Sequence, residues 1–427
     1  MTHKTIRVGG LTRVEGEGAL LIRTRGSRIT DLQLRIYEPP RFFEALLRGR
    51  AFTEPPDITA RICGICPVAY QMSACQALES ACGVTVDGAL RDLRLLLYYG
   101  EWIESHALHI YLLHAPDFLG YPSGVAMAAD HRPLVERGLA LKKAGNELVA
   151  AVGGRAIHPI NVKLGGFYRA PADLSSVAGQ LQNALQAALA TVEWVSGFDF
   201  PDVEHDYHFL ALRHPTEYAI LSGDVAVSDG TAFPVAEWPQ HVVEEQVPHS
   251  TALHARLDGR PGYLTGPLAR YALNAPRLSP LALRAAADAG LGRVCRNPFR
   301  SIIVRAVEIV HACEEALRII DRYVPPDPPA LPVTARPGEG HGASEAPRGT
   351  LYHRYRIDDA GLIAEADIVP PTAQNQARIE ADLHALVEPR LGLPVPELTE
   401  LCERAIRNHD PCISCSAHFL DLRLHHD

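Results

Sequence analysis

The sequence lacks the features that mark several common classes of protein. Lys and Arg total 41 against 50 Asp and Glu, a formal net charge of −9, so we expect no phosphate-binding surface and no nucleic-acid partner. The longest uncharged stretch, residues 174–192, holds seven Ser, Gln, Asn or Thr residues, too many for a lipid-facing helix. The start, MTHKTIRVGG, has no apolar signal-peptide core. We therefore expect a cytoplasmic protein that does not span a membrane.

The cysteines do not form a disulfide framework, because their number is nine and no signal peptide precedes them. Two C-x-x-C pairs stand out, Cys63 with Cys66 and Cys412 with Cys415. The other five are single and are expected to be small buried hydrophobic residues. They are Cys75, Cys82, Cys295, Cys313 and Cys402.

Hydrophobic patterning predicts an α+β fold that is mostly helical, with a central bundle of long helices and small antiparallel sheets near both ends of the chain. Apolar and polar residues alternate over residues 5–37, which indicates strands. The segments TLYHRYRID and LIAEADIVP resemble a hairpin, and the pieces YAILSG and VAVSDG resemble strands, whereas the proline-rich residues 324–342 predict a loop. Helical periodicity is strongest over residues 93–113, 132–152, 174–195, 300–323, 374–387 and 395–407.

The two thiol pairs can serve one metal centre, since residues at i and i+3 project from the same face of a helical turn. Four thiolates select zinc, iron–sulfur clusters or nickel over hard cations. A structural zinc site usually closes a loop of about 15–20 residues. Here 346 positions separate Cys66 from Cys412, which makes a zinc knot unusual.

The residues around these pairs resemble those of the large, catalytic subunit of nickel–iron hydrogenases, most closely the soluble NAD(P)-linked and sulfhydrogenase branch. The resemblance covers essentially the whole chain. Eight blocks occur in the family's order: TRVEGEG, RFFEALLRGR, RICGICPVAY, HALHIYLLHAPD, GGRAIHPINVKLGG, EAPRGTLYH, PPTAQN and DPCISCSAH. The resemblance implies the hydrogenase large-subunit fold and the reaction H2 ⇌ 2 H⁺ + 2 e⁻.

The resemblance also implies roles for the four cysteines. Cys63 and Cys412 would be terminal ligands of nickel, and Cys66 and Cys415 would bridge nickel to an iron that carries carbon monoxide and cyanide. A terminal thiolate such as Cys412 can accept the proton when H2 splits.

Further residues match functional positions of the family. Arg348 would lie over the metals with Pro347 as an apolar wall, and Thr372 of PPTAQN would lie beside the cofactor. Asp117 and Asp410 would hold the arginine, since a buried guanidinium needs charge partners; Asp410 could also cap the turn that carries Cys412.

Two more predictions concern protons and a second cation. Glu15 matches the family's proton gate beside a terminal cysteine. Glu44 and His418 match a magnesium site, although a histidine nitrogen is an unusual magnesium ligand and a different cation would also suit. Tyr70 stands where many relatives have histidine, and its hydroxyl can still donate towards the ligands of the iron.

The expected partners follow from what the chain cannot hold. After four cysteines bind the metals, none remain at the spacing of an iron–sulfur relay, so electrons should leave through an iron–sulfur small subunit and then nucleotide- or flavin-binding subunits. Nickel chaperones and a protease that cuts after His418 are expected during maturation. We predict one domain, 1–427, with an N-terminal sheet region (1–57), a first-thiol-pair region (58–206), a mixed region (207–299), a second-thiol-pair region (300–418) and a maturation tail (419–427).

Two other functions compete with this interpretation. The chain could be a zinc-stapled structural subunit, which would contain zinc and no nickel. It could also be a quinone-site subunit related to respiratory complex I, which binds no nickel. The presence of all four cysteines argues against the second alternative.

Overall fold

Helices dominate the computed structural model, which describes residues 3–39 and 41–417. The described α-helices are α1 (Phe43–Leu47), α2 (Pro55–Thr59), α3 (Pro67–Cys82), α4 (Gly88–Leu108), α5 (Ala115–Leu119), α6 (Gly124–Gly153), α7 (Ser175–Ser196), α8 (Trp238–His241), α9 (Pro267–Asn274), α10 (Pro280–Asp288), α11 (Ser301–Asp321), α12 (Pro371–Val387), α13 (Val395–Arg407) and α14 (Ile413–Ser416). A π-helical segment, His109–His114, continues α4. None of the described helices is long and apolar enough to cross a membrane.

The strands form small antiparallel sheets. They are β1 (His3–Val8), β2 (Gly18–Arg25), β3 (Arg28–Ile36), β4 (Val162–Lys163), β5 (Gly166–Phe167), β6 (Leu210–Arg213), β7 (Asp224–Val227), β8 (Ala232–Phe233), β9 (Val242–Glu245), β10 (His254–Leu257), β11 (Arg260–Pro261), β12 (Gly338–Ala346), β13 (Gly349–Ile357) and β14 (Ile363–Val369). The sheet orders are β1-β2-β3, β4-β5, β6-β7-β8, β11-β10-β9 and β12-β13-β14. The α+β prediction with sheets near both ends is confirmed, and residues 207–299 add two more sheets.

The centre of the molecule is a bundle of the four longest helices, as predicted. Helix α4 packs against α6 and α11, and α7 packs against both α6 and α11. Helix α6 begins at Gly124, earlier than predicted. A kink at His131 (φ −125°, ψ 39°), just before Pro133, separates these first turns from the part of the helix that was predicted. Proline cannot donate the helical hydrogen bond, so the turn before it breaks while the helix resumes beyond it.

One strand prediction and one loop prediction are wrong in detail. The segment YAILSG is not a strand, although its Tyr218, Ile220 and Leu221 side chains are buried. The predicted loop over residues 324–342 ends in β12, whose glycines gave no strand signal. Those glycines allow a close approach to α3, since a Cβ on Gly340 would lie 2.0 Å from the carbonyl oxygen of Ala77. Backbone contact with a helix therefore explains the glycines of this strand.

Candidate metal centre

The fold brings the two thiol pairs together at the edge of the main hydrophobic core. Cys66 immediately precedes α3, and Cys415 lies in α14. The four sulfur atoms all lie within 4.8 Å of one another, and all four residues are buried. The Sγ atoms of Cys63 and Cys412 are 3.6 Å apart, and those of Cys412 and Cys415 are 2.7 Å apart. The tertiary structure thus forms one tetrathiolate site from both ends of the chain.

Backbone amides and packing hold the first pair. The N–H groups of Ile65 and Cys66 each donate to Cys63 Sγ at 3.3 Å. Glu101 of α4 accepts from the N–H groups of Val68 (2.6 Å) and Ala69 (3.1 Å), in the first turn of α3. These amides have no partner within the helix, so the buried carboxylate caps α3 from another element. Glu101 did not stand out in the sequence, because its partners are more than thirty positions away.

Distant side chains hold the second pair. The Cys412 N–H donates to Thr372 Oγ1 at 2.9 Å. Glu15 Oε2 accepts from Cys412 Sγ at 3.2 Å and from the Ser414 N–H at 3.0 Å, while the Glu15 carbonyl accepts from the Ile413 N–H at 2.9 Å. Glu15 is half-buried, so its carboxylate connects a buried sulfur with the outer part of the molecule. Glu15 and Thr372 therefore both lie beside the quartet.

Arg348 lies in the two-residue turn between β12 and β13, next to Pro347, and is 2% exposed. Its Nε donates to the Asp410 carbonyl at 2.8 Å, and its Nη2 donates to Asp410 Oδ1 at 3.1 Å. Burial lowers the pKa of Arg348, but the Asp410 carboxylate and the Cys412 sulfur outweigh burial, so the pKa lies well above its usual value. Arg348 is therefore a permanent cation beside the quartet.

A buried ion-pair network supports the arginine turn. Arg270 donates to the carbonyls of Ala346 (2.8 Å) and Pro347 (2.9 Å), directly before Arg348. The same guanidinium pairs with Glu308 at 2.8 Å and with Glu345 at 3.2 Å. All three charged side chains are fully buried, so each requires the others. Glu345 precedes the turn within the EAPRG block, and its charge was the one available signal.

Asp117 is placed differently from the prediction. Its carboxylate accepts from Arg407 at 2.7 and 2.8 Å and pairs with Arg13, while among the described residues Asp410 supplies the carboxylate hydrogen-bonded to Arg348. The expectation that Asp117 holds Arg348 is therefore corrected. The reason is that α5 presents Asp117 to α13 and the segment before β2, which carry two other arginines.

The structure describes one of the two predicted magnesium ligands, Glu44. Glu44 Oε1 accepts from the Ile368 N–H at 2.7 Å, and burial raises the pKa of Glu44 to about 7. Glu244 is half-buried nearby, its buried Oε1 has no hydrogen-bond partner among the described residues, and burial followed by the Glu44 charge raises its pKa well above the usual value. His418 lies outside the described residues. A second carboxylate that the sequence did not single out thus lies beside Glu44.

The donor set fits a thiolate-bound pair of transition metals. The Cys412 thiol forms a hydrogen bond with the Cys63 sulfur, which holds the pKa of Cys63 well below its usual value. The hydrogen bond between Cys412 and Cys415 instead raises the pKa of Cys412 well above its usual value. Three polar atoms around the quartet are buried and have no hydrogen-bond partner in the described part of the chain: Tyr70 Oη, Arg348 Nη1 and Asp410 Oδ2. Buried polar atoms normally have partners. A soft metal with small polar ligands would supply them.

Comparison with known proteins agrees with this geometry. The family model for nickel-dependent hydrogenases matches residues 41–133 and 285–418, which contain all four cysteines. The chain is 34% identical over 426 residues to sulfhydrogenase 1 subunit alpha of Pyrococcus furiosus, covering 98% of each chain. It is 28% identical over 476 residues to the NAD-reducing hydrogenase HoxS subunit beta of Cupriavidus necator, covering 98% of this chain and 96% of that one.

Solved structures show the same similarity. The crystal structure of an NAD⁺-reducing [NiFe]-hydrogenase in the H2-reduced state superposes with a TM-score of 0.86 at 26% identity, covering 97% of this chain and 99% of that one. The Ni-Fe-Se hydrogenase of Desulfovibrio vulgaris Hildenborough, at 23% identity, shares the fold with a TM-score of 0.75, covering 98% of this chain and 100% of that one.

Proposed function

The chain belongs to the nickel-dependent hydrogenase family as a catalytic large subunit, and from this premise we propose how its residues carry out H2 ⇌ 2 H⁺ + 2 e⁻. Cys63, Cys66, Cys412 and Cys415 would hold the nickel–iron centre, the iron of which would carry carbon monoxide and cyanide. When bound, this centre takes up the two electrons of H2. The observation that carries the proposal is the buried quartet with Glu15 hydrogen-bonded to one of its sulfurs.

The proton leaves through Glu15. Its Oε2 lies 3.2 Å from Cys412 Sγ, so a proton on that sulfur moves to the carboxylate within one hydrogen bond. The Ser414 N–H, 3.0 Å from the same oxygen, keeps the carboxylate aimed at the sulfur. Because Glu15 is half-buried, the proton then has a route towards solvent.

Arg348 provides a fixed positive charge and a free donor. Asp410 engages Nε and Nη2, which leaves the buried Nη1 for a small ligand of the centre. Pro347 adds an apolar wall without a backbone donor, which helps to exclude water. Tyr70 offers its buried hydroxyl to the iron side.

Electrons leave through partner subunits. Among the described residues, the quartet is the only cysteine group close enough to bind a metal, and the five single cysteines are buried apart from it. An iron–sulfur small subunit therefore receives the electrons, and nucleotide- or flavin-binding subunits pass them on to NAD(P) in the cytoplasm. The NAD-reducing relatives support this arrangement.

A magnesium ion is proposed beside Glu44. Carboxylate oxygens are its usual ligands, and the buried Glu244 Oε1, which has no hydrogen-bond partner among the described residues, is a further acceptor for ion-bound water. His418 completes the site in this proposal.

Maturation is proposed to involve nickel chaperones and a protease that removes residues 419–427. The intact mass of the active, nickel-loaded protein tests the cut. A chain that ends at His418 is expected, and a full-length mass in active protein would contradict proteolysis.

The function itself is tested by metal and infrared analysis of the complex purified with its partner subunits. We expect nickel and iron in equal amounts, infrared bands of iron-bound carbon monoxide and cyanide, and H2-dependent reduction of a viologen dye. Zinc alone in the quartet would support a structural subunit. An intact complex without nickel that retains quinone-dependent activity would support the relative of complex I.

A further inference from the structure

A second group of metal-ligating side chains lies away from the quartet. His249 is in the loop between β9 and β10, His254 begins β10, and Glu380 is on α12. One ligand atom from each lies within 4.8 Å of the others, and His249 Nε2 is 2.8 Å from Glu380 Oε1. In the part of the chain that the structure describes, only the cysteine quartet forms another group of this kind. Residues 134–284, which contain both histidines, lie outside the match to the family model.

His254 is the member that an ordinary ion pair does not explain. The residue is 5% exposed, and its Nε2 is buried without a hydrogen-bond partner among the residues that the structure describes. Leaving such an atom unsatisfied is unfavourable, because a buried polar group has lost its hydrogen bonds to water. Burial also lowers the pKa of His254.

The site is held in place by the backbone around it. Thr251 N–H donates to the Ile36 carbonyl at 2.8 Å, and Gln246 Nε2 donates to the Ser250 carbonyl at 2.7 Å, which fixes the loop that carries His249. Glu380 Oε1 also accepts from the Leu34 N–H at 2.7 Å, which orients the carboxylate. Ligands fixed in this way bind an ion with little loss of conformational entropy.

We propose that His249, His254 and Glu380 bind a divalent ion of the zinc(II) class. Two imidazoles and one carboxylate suit zinc rather than magnesium or calcium, which prefer oxygen ligands. The side chains of His249 and Glu380 are 19% and 18% exposed, so water completes the coordination. The site is separate from Glu244, because His254 pairs with Glu245 in the hairpin and neighbouring residues of a strand point to opposite faces.

The position of the site suggests a structural role. Ala252, between the two histidines, forms a bridge with Ala417, two residues after Cys415. An ion at this site ties the loop to α12, which also supplies Thr372 to the Cys412 N–H. The zinc ion therefore stabilises the surroundings of the second thiol pair without taking part in hydrogen chemistry.

The first test measures zinc in the nickel-loaded complex, in which the quartet is already filled. Equilibrium dialysis against zinc is expected to leave about one zinc ion for each nickel, and His254→Gln should weaken binding at least about 100-fold, as expected when a direct ligand is lost. His241→Gln is the matched control, because the His241 ring pairs with Asp258 at 2.9 Å and with no third ligand group among the described residues. No bound zinc, or equal zinc in wild type, His254→Gln and His241→Gln, would overturn the proposal.

A second variant and a spectrum keep the test decisive if His254→Gln fails to fold. Glu380→Gln retains an oxygen for the Leu34 N–H but removes the charge that a cation needs. Cobalt(II) bound in the wild-type complex should show ligand-field bands without sulfur-to-metal charge transfer, and Glu380→Gln should lose them. Zinc should also raise the thermal midpoint of the wild type only. Thiolate charge-transfer bands, or an unchanged Glu380→Gln spectrum, would refute the assignment.

Discussion

The two thiol pairs have the same spacing but are held by different means. Cys63 and Cys66 precede the 16-residue helix α3, which packs against β12 and β13 and is capped by Glu101. Cys412 and Cys415 lie at the four-residue helix α14 and depend on Glu15 and Thr372, which are 397 and 40 positions away from Cys412. Packing thus positions the first pair, and hydrogen bonds from distant segments position the second.

The surroundings of the two pairs also differ in whether they support the fold or the proposed chemistry. Glu15, the proposed proton acceptor, and the Arg348–Asp410 pair both lie on the side of Cys412. The first pair is close to buried groups that support its helix. Changes around the second pair should therefore affect turnover more than stability, and changes around the first pair should do the reverse.

The largest effect is expected for the one property in which the two thiol pairs do not differ, since both pairs must bind the metals. Cys63→Ser and Cys412→Ser should each lose at least about 1,000-fold in H2 oxidation, since serine oxygen is a hard, poorly ionised ligand. Turnover and nickel content are the measurements. Cys82→Ser, at the far end of α3, is the control and should remain active. Near wild-type activity in either ligand variant would refute the metal assignment.

The next effect separates proton transfer from metal binding. Glu15→Gln keeps the shape but cannot carry the proton, so turnover and H2/D2 exchange with solvent should fall about 10²–10⁴-fold with nickel retained. Glu17→Gln, an exposed carboxylate two positions away, is the matched control. Unchanged exchange in Glu15→Gln would place the proton route elsewhere, with Glu17 as the next candidate.

Arg348→Lys should lower turnover about 10²–10³-fold, because lysine lacks the planar fork that engages Asp410 and leaves Nη1 free. Nickel and iron should stay bound, since the thiolates are unchanged. Arg356→Lys in β13, the strand that follows the Arg348 turn, serves as the control, because Arg356 forms an exposed pair with Glu365. If activity falls only in proportion to metal content, Arg348 has a structural role alone.

The smallest effects test the comparison directly. Glu101→Leu leaves the Val68 and Ala69 amides without an acceptor, and Thr372→Val does the same to the Cys412 amide. Each amide should cost about 1–3 kcal/mol in the free energy of unfolding, so Glu101→Leu should be the less stable variant. Thr372→Val should lose about 10-fold in turnover through a displaced Cys412 sulfur, within the usual cost of small misplacements. If the two variants lost turnover and stability in the same proportion, the distinction between the two thiol pairs would be contradicted.

Local spacing determined a large part of this protein. The two C-x-x-C motifs, the 3.6-residue periodicity of the four bundle helices and the alternation in β13 and β14 depend on residues close together in the chain, so the sequence alone predicted them. The prolines and glycines of residues 324–342 obscured β12, because a strand that touches a helix backbone needs glycine for reasons of packing.

The partners of the buried charges were decided only by the tertiary structure. Asp117 forms ion pairs with Arg13 and Arg407. Arg270 donates hydrogen bonds to the turn that carries Arg348, and His249 and His254 lie close to Glu380. Each of these contacts joins segments that lie far apart in the sequence, and none follows a repeat or a spacing rule. A buried charge takes whichever opposite charge the packing of helices and sheets brings within reach, so its partner depends on the whole fold.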